Sequence, residues 1–245
     1  MSGRTAVTRP SVRARFGGLP RAYWYLWGGT LVNRLGTMVQ PFFAFYLTGR
    51  RGLSITAVGL VLTMFGAGAL FSQLLSGWLT DRVGRRVTLT GGMFATGTAM
   101  LLLGYSSSVP AIAACMLLLG LAMDIWRPAS SALIADVVPP QQRVKAFGLL
   151  FWAVNIGFTG GVLTGGWLAR GSILWLFWID ALTCAAFGLM VWFAVPEPHR
   201  QAVGHLPDGR FSTVLRDRVM VGFVLVTLAY GVVYLQSLIT LPLCM

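Results

Sequence analysis

Charged side chains are scarce in this sequence. Only 11% of its 245 residues are Asp, Glu, Lys or Arg, whereas a soluble domain carries about 25%. Hydrophobic residues make up 56% of the chain. A chain of this composition cannot cover its surface with polar groups, which excludes a soluble globular fold. The formal net charge of +12 does not indicate a nucleic-acid-binding face, because the arginines lie in short segments between apolar runs.

Residues that bind metals or perform covalent chemistry are also few. Cys115, Cys184 and Cys244 lie inside apolar runs at spacings that indicate neither a disulfide nor a metal site. The sequence shows no nucleophile with a neighbouring base and no Gly-rich phosphate loop, so we predict no enzyme activity and no cofactor. Lys145, the only lysine, lies between apolar runs, which excludes a retinal Schiff base in a seventh helix.

Long apolar runs dominate the chain instead. Each has about the length that a helix needs to cross a hydrocarbon layer of roughly 30 Å. Unpaired backbone groups are costly in lipid, so each run is expected to be helical. The sequence therefore predicts an all-α membrane protein with about seven transmembrane helices. These spans 1 to 7 are residues 22–47, 56–79, 87–105, 109–138, 146–169, 172–195 and 219–244.

Basic residues are distributed unequally between the two sides of these spans. Fourteen lie in the N-terminal arm and after spans 2, 4 and 6, whereas the other side holds only Arg50, Arg51 and Arg170. Since Lys and Arg are retained on the cytoplasmic side, we predict a multi-pass protein of the cell membrane with a cytoplasmic N-terminus.

The same pattern divides the chain into four segments. Residues 1–21 form a basic arm that is predicted to be disordered and cytoplasmic. Residues 22–195 carry six spans, and residues 196–218 form a cytoplasmic linker that contains both histidines. Residues 219–245 are expected to be the first helix of a truncated C-terminal domain, or of a domain that a partner completes.

The segment between spans 2 and 3 contains the most specific motif. It reads Gly77-Trp78-Leu79-Thr80-Asp81-Arg82-Val83-Gly84-Arg85-Arg86. This resembles the signature loop of the major facilitator superfamily, G-x-L-x-D-R-x-G-R-R, at every fixed position. Gly77 is expected to let two helices approach closely, Gly84 to permit the turn, and Asp81 to form a charge cluster with the arginines. The resemblance implies a conformational switch made of Gly77, Asp81, Arg82, Gly84, Arg85 and Arg86.

A second motif lies in span 5, where residues 157–166 resemble the G-x-x-x-G-P-x-x-G-G pattern of antiporters in that superfamily. Its glycines are Gly157, Gly161, Gly165 and Gly166. Val162 replaces the proline, and tight packing of small residues is the competing interpretation. The family's helix-four arginine is absent, since Met116 stands four residues before Gly120. A proton mechanism that acts through that arginine is therefore not carried over.

These resemblances cover residues 22–197 and imply an incomplete helical bundle of the major facilitator type, similar to drug:proton antiporters. They imply proton-coupled multidrug efflux of a small amphipathic compound across the lipid bilayer, with helices one and four lining a central cavity. A sugar or metabolite importer of the same superfamily is the alternative. A non-transporting, truncated membrane interaction module is another, and a chain of natural length would need a partner half or a homodimer to transport.

Four charged side chains lie at membrane depth, where each costs at least about 2.5 kcal/mol. They are Arg34 in span 1, Asp124 and Arg127 in span 4, and Asp180 in span 6. Arg34 and Asp124 are expected to meet at similar depth. We predict that Asp124 changes protonation during transport and that Arg34 tunes it. The alternative is a fixed bridge between Asp124 and Arg127 at i and i+3, and Asp180 is expected to be structural.

Overall fold

The structure is a computed structural model that describes residues 18–169, 171–196, 217, 219–223, 225–227 and 229. The chain divides into two units between Pro198 and His199. In the second unit, residues 219–223 are helical. Most of the predicted arm, the linker and most of span 7 lie outside the described residues.

The first unit is built of helices, and its described part contains no strand. Its helices are α1 (Arg21–Gly36), α2 (Ile55–Arg82), α3 (Arg85–Tyr105), α4 (Val109–Met123), α5 (Trp126–Val137), α6 (Arg143–Leu168) and α7 (Leu174–Ala194). Shorter elements are the 3₁₀ turns Gln40–Phe42 and Pro140–Gln142, the α-helical turn Phe43–Phe45 and the π-helical turn Tyr46–Arg50. The prediction of an all-α membrane fold is confirmed.

Five helical segments in the described residues are long and apolar enough to cross a membrane. They are α2, α3, the combined segment Val109–Val137, the segment Pro140–Leu168, and α7. The remaining predicted span of the first unit, span 1, consists of α1 and the short turns that follow it as far as Arg50.

Spans 1 and 4 are each interrupted where the sequence predicted a continuous helix. In span 1 regular helix ends at Gly36, and in span 4 it stops at Met123 and resumes at Trp126. A proline lacks the N–H that would bond the carbonyl four residues earlier, and its ring clashes with that carbonyl. Pro41 acts in this way on Thr37, and Pro128 on Asp124. The prediction of unbroken helices was therefore wrong at these two points.

The six spans fall into two repeat units of three, spans 1 to 3 and spans 4 to 6, and most of the packing is between these repeat units. Helix α1 packs on α6, α2 packs on α4, and α3 packs on α7. In addition, α1 contacts α7, and α3 contacts α4 and α5, which together form span 4. If span 1 is exchanged with span 4, span 2 with span 5 and span 3 with span 6, the same pairs of spans remain in contact. Because each unit has an odd number of spans, the second starts on the opposite side of the membrane and forms an inverted repeat of the first.

Glycines permit the closest of these crossings. A Cβ added to Gly68 of α2 would lie 2.8 Å from the backbone nitrogen of Leu121, and one on Gly120 of α4 would lie 3.0 Å from that of Ala69. Real Cβ atoms do not approach backbone this closely, so the two helices depend on the missing side chains.

The equivalent crossing of α1 and α6 has the same construction. A Cβ on Gly157 would lie 2.8 Å from the carbonyl oxygen of Leu31, and one on Gly161 would lie 2.8 Å from that of Leu35. Span 5 therefore uses its glycines for direct backbone contact with span 1, as the packing interpretation of its motif expects.

Buried apolar side chains form one cluster towards each end of the bundle. One cluster includes Leu47, Met100, Leu119 and Phe177, and the other includes Tyr23, Leu89, Leu133 and Phe187. The outward faces are apolar as well: only 22% of the spanning windows of α2 and α6 is buried, against 61% for α3. Leu70 and Trp167 are examples of exposed side chains on these two helices. Such outward faces suit lipid or a further membrane helix rather than water.

The glycine contact between α1 and α6 can be tested with Gly161→Ala. The added methyl group meets backbone atoms of α1 that have no room to yield, and overpacking of this kind typically costs about 1–3 kcal/mol. We expect a lower thermal midpoint for the detergent-purified protein, measured by circular dichroism.

Gly148→Ala is the matched control on the same helix, because nothing lies within 4 Å of its added Cβ. This variant is expected to keep or slightly raise the midpoint, since alanine favours helix over glycine by about 1 kcal/mol. Equal midpoints for the two variants would contradict the close crossing.

Candidate functional site

The loop between α2 and α3 is a tight turn. Gly84 has a φ of 109°, a conformation in which an L side chain is strained, and it directly precedes α3. This agrees with the role expected for Gly84. Gly77 differs from its expected role, because no described atom lies within 4 Å of a Cβ built on it. The close helix approach expected there is not found in the described part of the chain.

The arginines of this loop connect it to other helices of the bundle. Arg85 forms an ion pair with Asp136 near the end of α5, and its Nη1 also donates to the carbonyl oxygen of Ala132 at 3.3 Å. Asp136 is not part of the signature pattern, so nothing in that pattern predicts it at this loop. The pair ties the start of α3 to the end of α5.

Arg86 contacts the end of α7. Its Nη1 donates to the carbonyl oxygens of Trp192 and Val195, both at 3.4 Å, and its guanidinium lies 4.8 Å from the ring centre of Trp192. Carbonyl groups at the end of a helix lack intrahelical partners and attract cations. Arg86 thus caps α7, while Arg82 stacks on Trp78 at 4.8 Å.

The interruption in span 4 places the carboxylate of Asp124 close to the side chains of Trp126 and Arg127. Asp124 follows α4 at the break, and its Oδ1 accepts a hydrogen bond from Nε of Arg127 at 2.8 Å. This is the local i, i+3 pair that the alternative interpretation expected. The two side chains are 28% and 59% exposed. The pair is therefore open to the surroundings rather than sealed in the core.

Arg34 approaches the same place from α1. It is 5% exposed, and its Cζ lies 4.7 Å from the ring centre of Trp126, while the Cζ of Arg127 lies 5.9 Å from that ring. Among the described residues, no carboxylate forms an ion pair with Arg34, and its Nε is buried without a hydrogen-bond partner. Arg34 and Asp124 therefore approach the same region, but Asp124 pairs with Arg127 instead.

These side chains line a cavity of about 180 Å³. Its walls come from α1, α5 and α6, and its lining residues are Arg34, Trp126, Arg127, Ser130, Ser131, Leu150 and Val154. Of these, sequence reasoning singled out only the two arginines. The sequence offered one clue to the others on α5: Trp126, Ser130 and Ser131 lie within about one helical turn of Arg127.

The glycines of span 5 hold Arg34 in place. A Cβ on Gly157 would lie 2.6 Å from the Cβ of Arg34, and one on Gly165 would lie 2.9 Å from the Cβ of Met38. Gly166 is different, because its added Cβ would make only an ordinary contact of 3.8 Å with Phe42. Gly157, Gly161 and Gly165 thus set the position of α1 at the cavity, whereas Gly166 has no such packing role in the described residues.

Asp180 lies in a separate buried cluster between α1 and α7. It is 1% exposed, Sγ of Cys184 donates to its Oδ1 at 3.6 Å, and Nδ2 of Asn33 donates to that sulfur at 3.2 Å. Oδ2 of Asp180 has no hydrogen-bond partner in the described residues. Its place inside a helix contact agrees with the structural role expected for it. No group of three or more potential metal ligands occurs in the part of the chain that the structure describes.

Comparison with known proteins identifies the family. A model of the Major Facilitator Superfamily matches residues 26–244. The chain belongs to this superfamily. The resemblance drawn from the signature loop is confirmed, and this major facilitator chain is an integral membrane protein.

Two relatives illustrate the range of this major facilitator group. The uncharacterized MFS-type transporter YhjO of Bacillus subtilis is 26% identical over 93% of this chain and 56% of its own length. The Na(+), Li(+), K(+)/H(+) antiporter of Planococcus maritimus is 26% identical over 88% of this chain and 55% of its own length. Other relatives are named as multidrug resistance proteins and as a 4-hydroxybenzoate transporter.

Solved structures show the same fold. A crystal structure of the peptide transporter POT superimposes with a TM-score of 0.65 and 18% identity, over 91% of this chain and 47% of that one. The chain spans about half the length of the curated relatives it matches.

The ion pair between Arg85 and Asp136 can be measured with a double-mutant cycle. We expect Arg85→Ala and Asp136→Ala to be coupled by about 0.2–1 kcal/mol, the usual range for a partly exposed pair. Unfolding of the detergent-purified protein by sodium dodecyl sulfate provides the free energies.

A cycle of Arg50→Ala with Asp136→Ala serves as the control, because Arg50 donates to the carbonyl of Gly171 instead. A coupling for Arg85 and Asp136 no larger than that of the control would show that the pair does not fasten the loop.

Proposed function

We propose that residues 22–195 form the N-terminal six-helix domain of a secondary transporter that moves a small amphipathic compound in a proton-coupled cycle. Family membership supports transport rather than catalysis. Efflux in exchange for protons is the first candidate, and relatives named as an antiporter and as multidrug resistance proteins support it. No cofactor is part of this proposal.

The observation that carries the proposal is the charged cavity at the two broken helices. Interrupted helices at corresponding positions of two repeats are typical of binding sites in secondary transporters. Here the breaks at Thr37 and Asp124 occupy equivalent spans, and Arg34 and Arg127 line a cavity beside them. Charges at membrane depth are retained for function when they face such a cavity.

Asp124 is the proposed proton carrier. Its carboxylate is partly exposed and, within the described residues, pairs with Arg127, so protonation would release that arginine. Arg34, which lines the cavity beside Arg127, would then influence the proton through its charge. Asp180 is less suited to this role, because it is sealed within the contact between α1 and α7.

The signature loop is proposed to act as the conformational switch. Arg85 and Arg86 fasten the start of α3 to α5 and α7, so a movement of these ends would break or remake the two contacts. Gly84 supplies the turn, and Gly77, Asp81 and Arg82 complete the motif on α2. The transport cycle is proposed to rock two such domains about a midplane site. Residues 219–245 would be the first helix of the second domain, or a partner half or a homodimer would supply that domain.

Uptake of a metabolite is the second candidate. A relative named 4-hydroxybenzoate transporter PcaK is 29% identical over 70% of this chain, and a cavity lined by two arginines suits an organic acid. A membrane interaction module without transport activity is the third.

The proposed location is the cell membrane with the N-terminus in the cytoplasm. Arg82, Arg85, Arg86 and Arg143 all lie in the described segments after spans 2 and 4, on the side that the positive-inside rule assigns to the cytoplasm.

Orientation can be tested with cysteines at the two ends of α2. Val83→Cys and Ile55→Cys lie at positions that are 52% and 86% exposed. In intact cells a membrane-impermeant maleimide is expected to label Ile55→Cys and to label Val83→Cys only after permeabilisation. The unaltered chain measures the background from its three native cysteines, and the reverse pattern would invert the proposed orientation.

The proton carrier can be tested with Asp124→Asn in vesicles made with a two-domain protein that contains this chain. Transport driven by a pH gradient should fall to the rate measured without a gradient, because no proton then moves with the substrate. Exchange of labelled for unlabelled substrate without a gradient should persist, because it needs no net proton movement.

Arg127→Gln is the matched variant, because it breaks the same ion pair and keeps the carboxyl group. It should retain response to the pH gradient. If Asp124→Asn transports as fast as the unaltered protein under a gradient, or if both variants lose gradient-driven transport equally, Asp124 is only half of a local bridge.

A further inference from the structure

We propose that the cavity wall where Arg34 and Arg127 flank Trp126 binds the carboxylate of an amphipathic aromatic acid. The inference rests on the proposed transport function, because it names the class of compound that this cavity would accept.

The cavity carries an excess of positive charge. Two of its lining residues are arginines and none is acidic. Asp124 neutralises Arg127 through the bond to its Nε. Arg34 has no comparable partner in the described residues, although Asp124 and Asp180 both act on it electrostatically from a distance. Asp180 is not a lining residue, since the contact between α1 and α7 encloses it.

A buried arginine without a counterion is unfavourable unless something else compensates for the water it has lost. Cζ of Arg34 lies over the indole ring of Trp126, 4.7 Å from its centre, and this cation–π contact provides part of that compensation. Nε at the edge of this guanidinium is buried without a hydrogen-bond acceptor in the described residues. Carboxylates bind to that edge, often through two parallel hydrogen bonds.

The rest of the cavity suits the apolar part of such an acid. Trp126, Leu150 and Val154 offer apolar surface, while Ser130 and Ser131 offer hydroxyl groups near the arginines. Oγ of Ser130 is buried and has no hydrogen-bond partner in the described segments. The volume of about 180 Å³ is enough for one aromatic ring, since a protein cavity of roughly 150 Å³ holds benzene.

Benzoate and benzamide are suitable probes, because they share size and shape and differ in charge at pH 7. Binding of each to the full chain, purified in an uncharged detergent, is measured by isothermal titration calorimetry. We expect benzoate to bind roughly tenfold more tightly than benzamide, as a charge-assisted hydrogen bond predicts. Equal affinities would overturn the proposal.

Three variants assign the preference to the cavity. Arg34→Gln should weaken benzoate roughly tenfold and leave benzamide unchanged, and retained benzamide binding also shows that the variant is folded. Arg34→Lys keeps the charge without the planar edge, so its affinity for benzoate should lie between those of the unaltered chain and Arg34→Gln. Arg50→Gln removes a positive charge outside the lining residues and should change neither affinity.

Unchanged benzoate affinity in Arg34→Gln would overturn the proposal. If that variant does not fold, Arg34→Lys decides, and an affinity equal to that of the unaltered chain counts against the carboxylate site. These measurements need no transport. If the protein transports under a gradient but does not prefer benzoate to benzamide, this inference alone is refuted. If it prefers benzoate but does not transport, the proposed function alone is refuted.

Discussion

The requirement that every backbone group in a hydrocarbon layer finds a hydrogen-bond partner determines where this molecule is regular and where it is not. Four of the five apolar segments, all except Val109–Val137, satisfy it within long helices. Spans 1 and 4 do not, because Pro41 and Pro128 each remove one donor from the helical ladder. Irregular backbone at this depth is tolerated where it is covered by protein or borders a cavity. The cavity of Arg34 and Arg127 borders the break in span 4.

The glycines of span 5 follow from the same constraint. A helix that ends at Gly36 has fewer internal hydrogen bonds to hold its direction, so its position depends on its neighbours. Gly157 and Gly161 bring the backbone of α6 against Leu31, Arg34 and Leu35, which leaves α1 little freedom to move. The glycine motif and the charged cavity, which are far apart in the sequence, are therefore two parts of one arrangement around Arg34.

Much of the fold was predictable because it depends on composition and length alone. The first six spans, the glycine at the turn before α3 and the family all followed from residue patterns. The partners of charged groups did not, since a pattern places a residue at a depth and leaves its side-chain contacts open. Arg34 and Asp124 were expected to meet at similar depth, yet Asp124 bonds Arg127, which is closer in sequence. The pair of Arg85 and Asp136 joins α3 to α5, and no local sequence pattern predicts that these two helices meet.

Gly77 and the two helix breaks illustrate different reasons for a mismatch. The expectation for Gly77 assumed that a small residue always marks a close contact, but in the described residues nothing approaches it. The breaks were missed although Pro41 and Pro128 are visible in the sequence, because hydropathy averages over a window and does not register a missing donor. Reading each proline together with the carbonyl four residues before it places both breaks correctly.

The charges of the cavity link protonation to the charge of the substrate. If Asp124 accepts a proton, Arg127 loses its partner and the cavity holds two arginines without a carboxylate. An anion binds such a state more tightly, and by reciprocity a bound anion favours the proton on Asp124 to the same degree. Proton and organic acid would then load together, which favours uptake, whereas a cationic compound would compete with the proton as an exchanger requires. A carboxylate bound at Arg34 would thus favour the uptake candidate, and a cationic substrate would favour the exchange candidate.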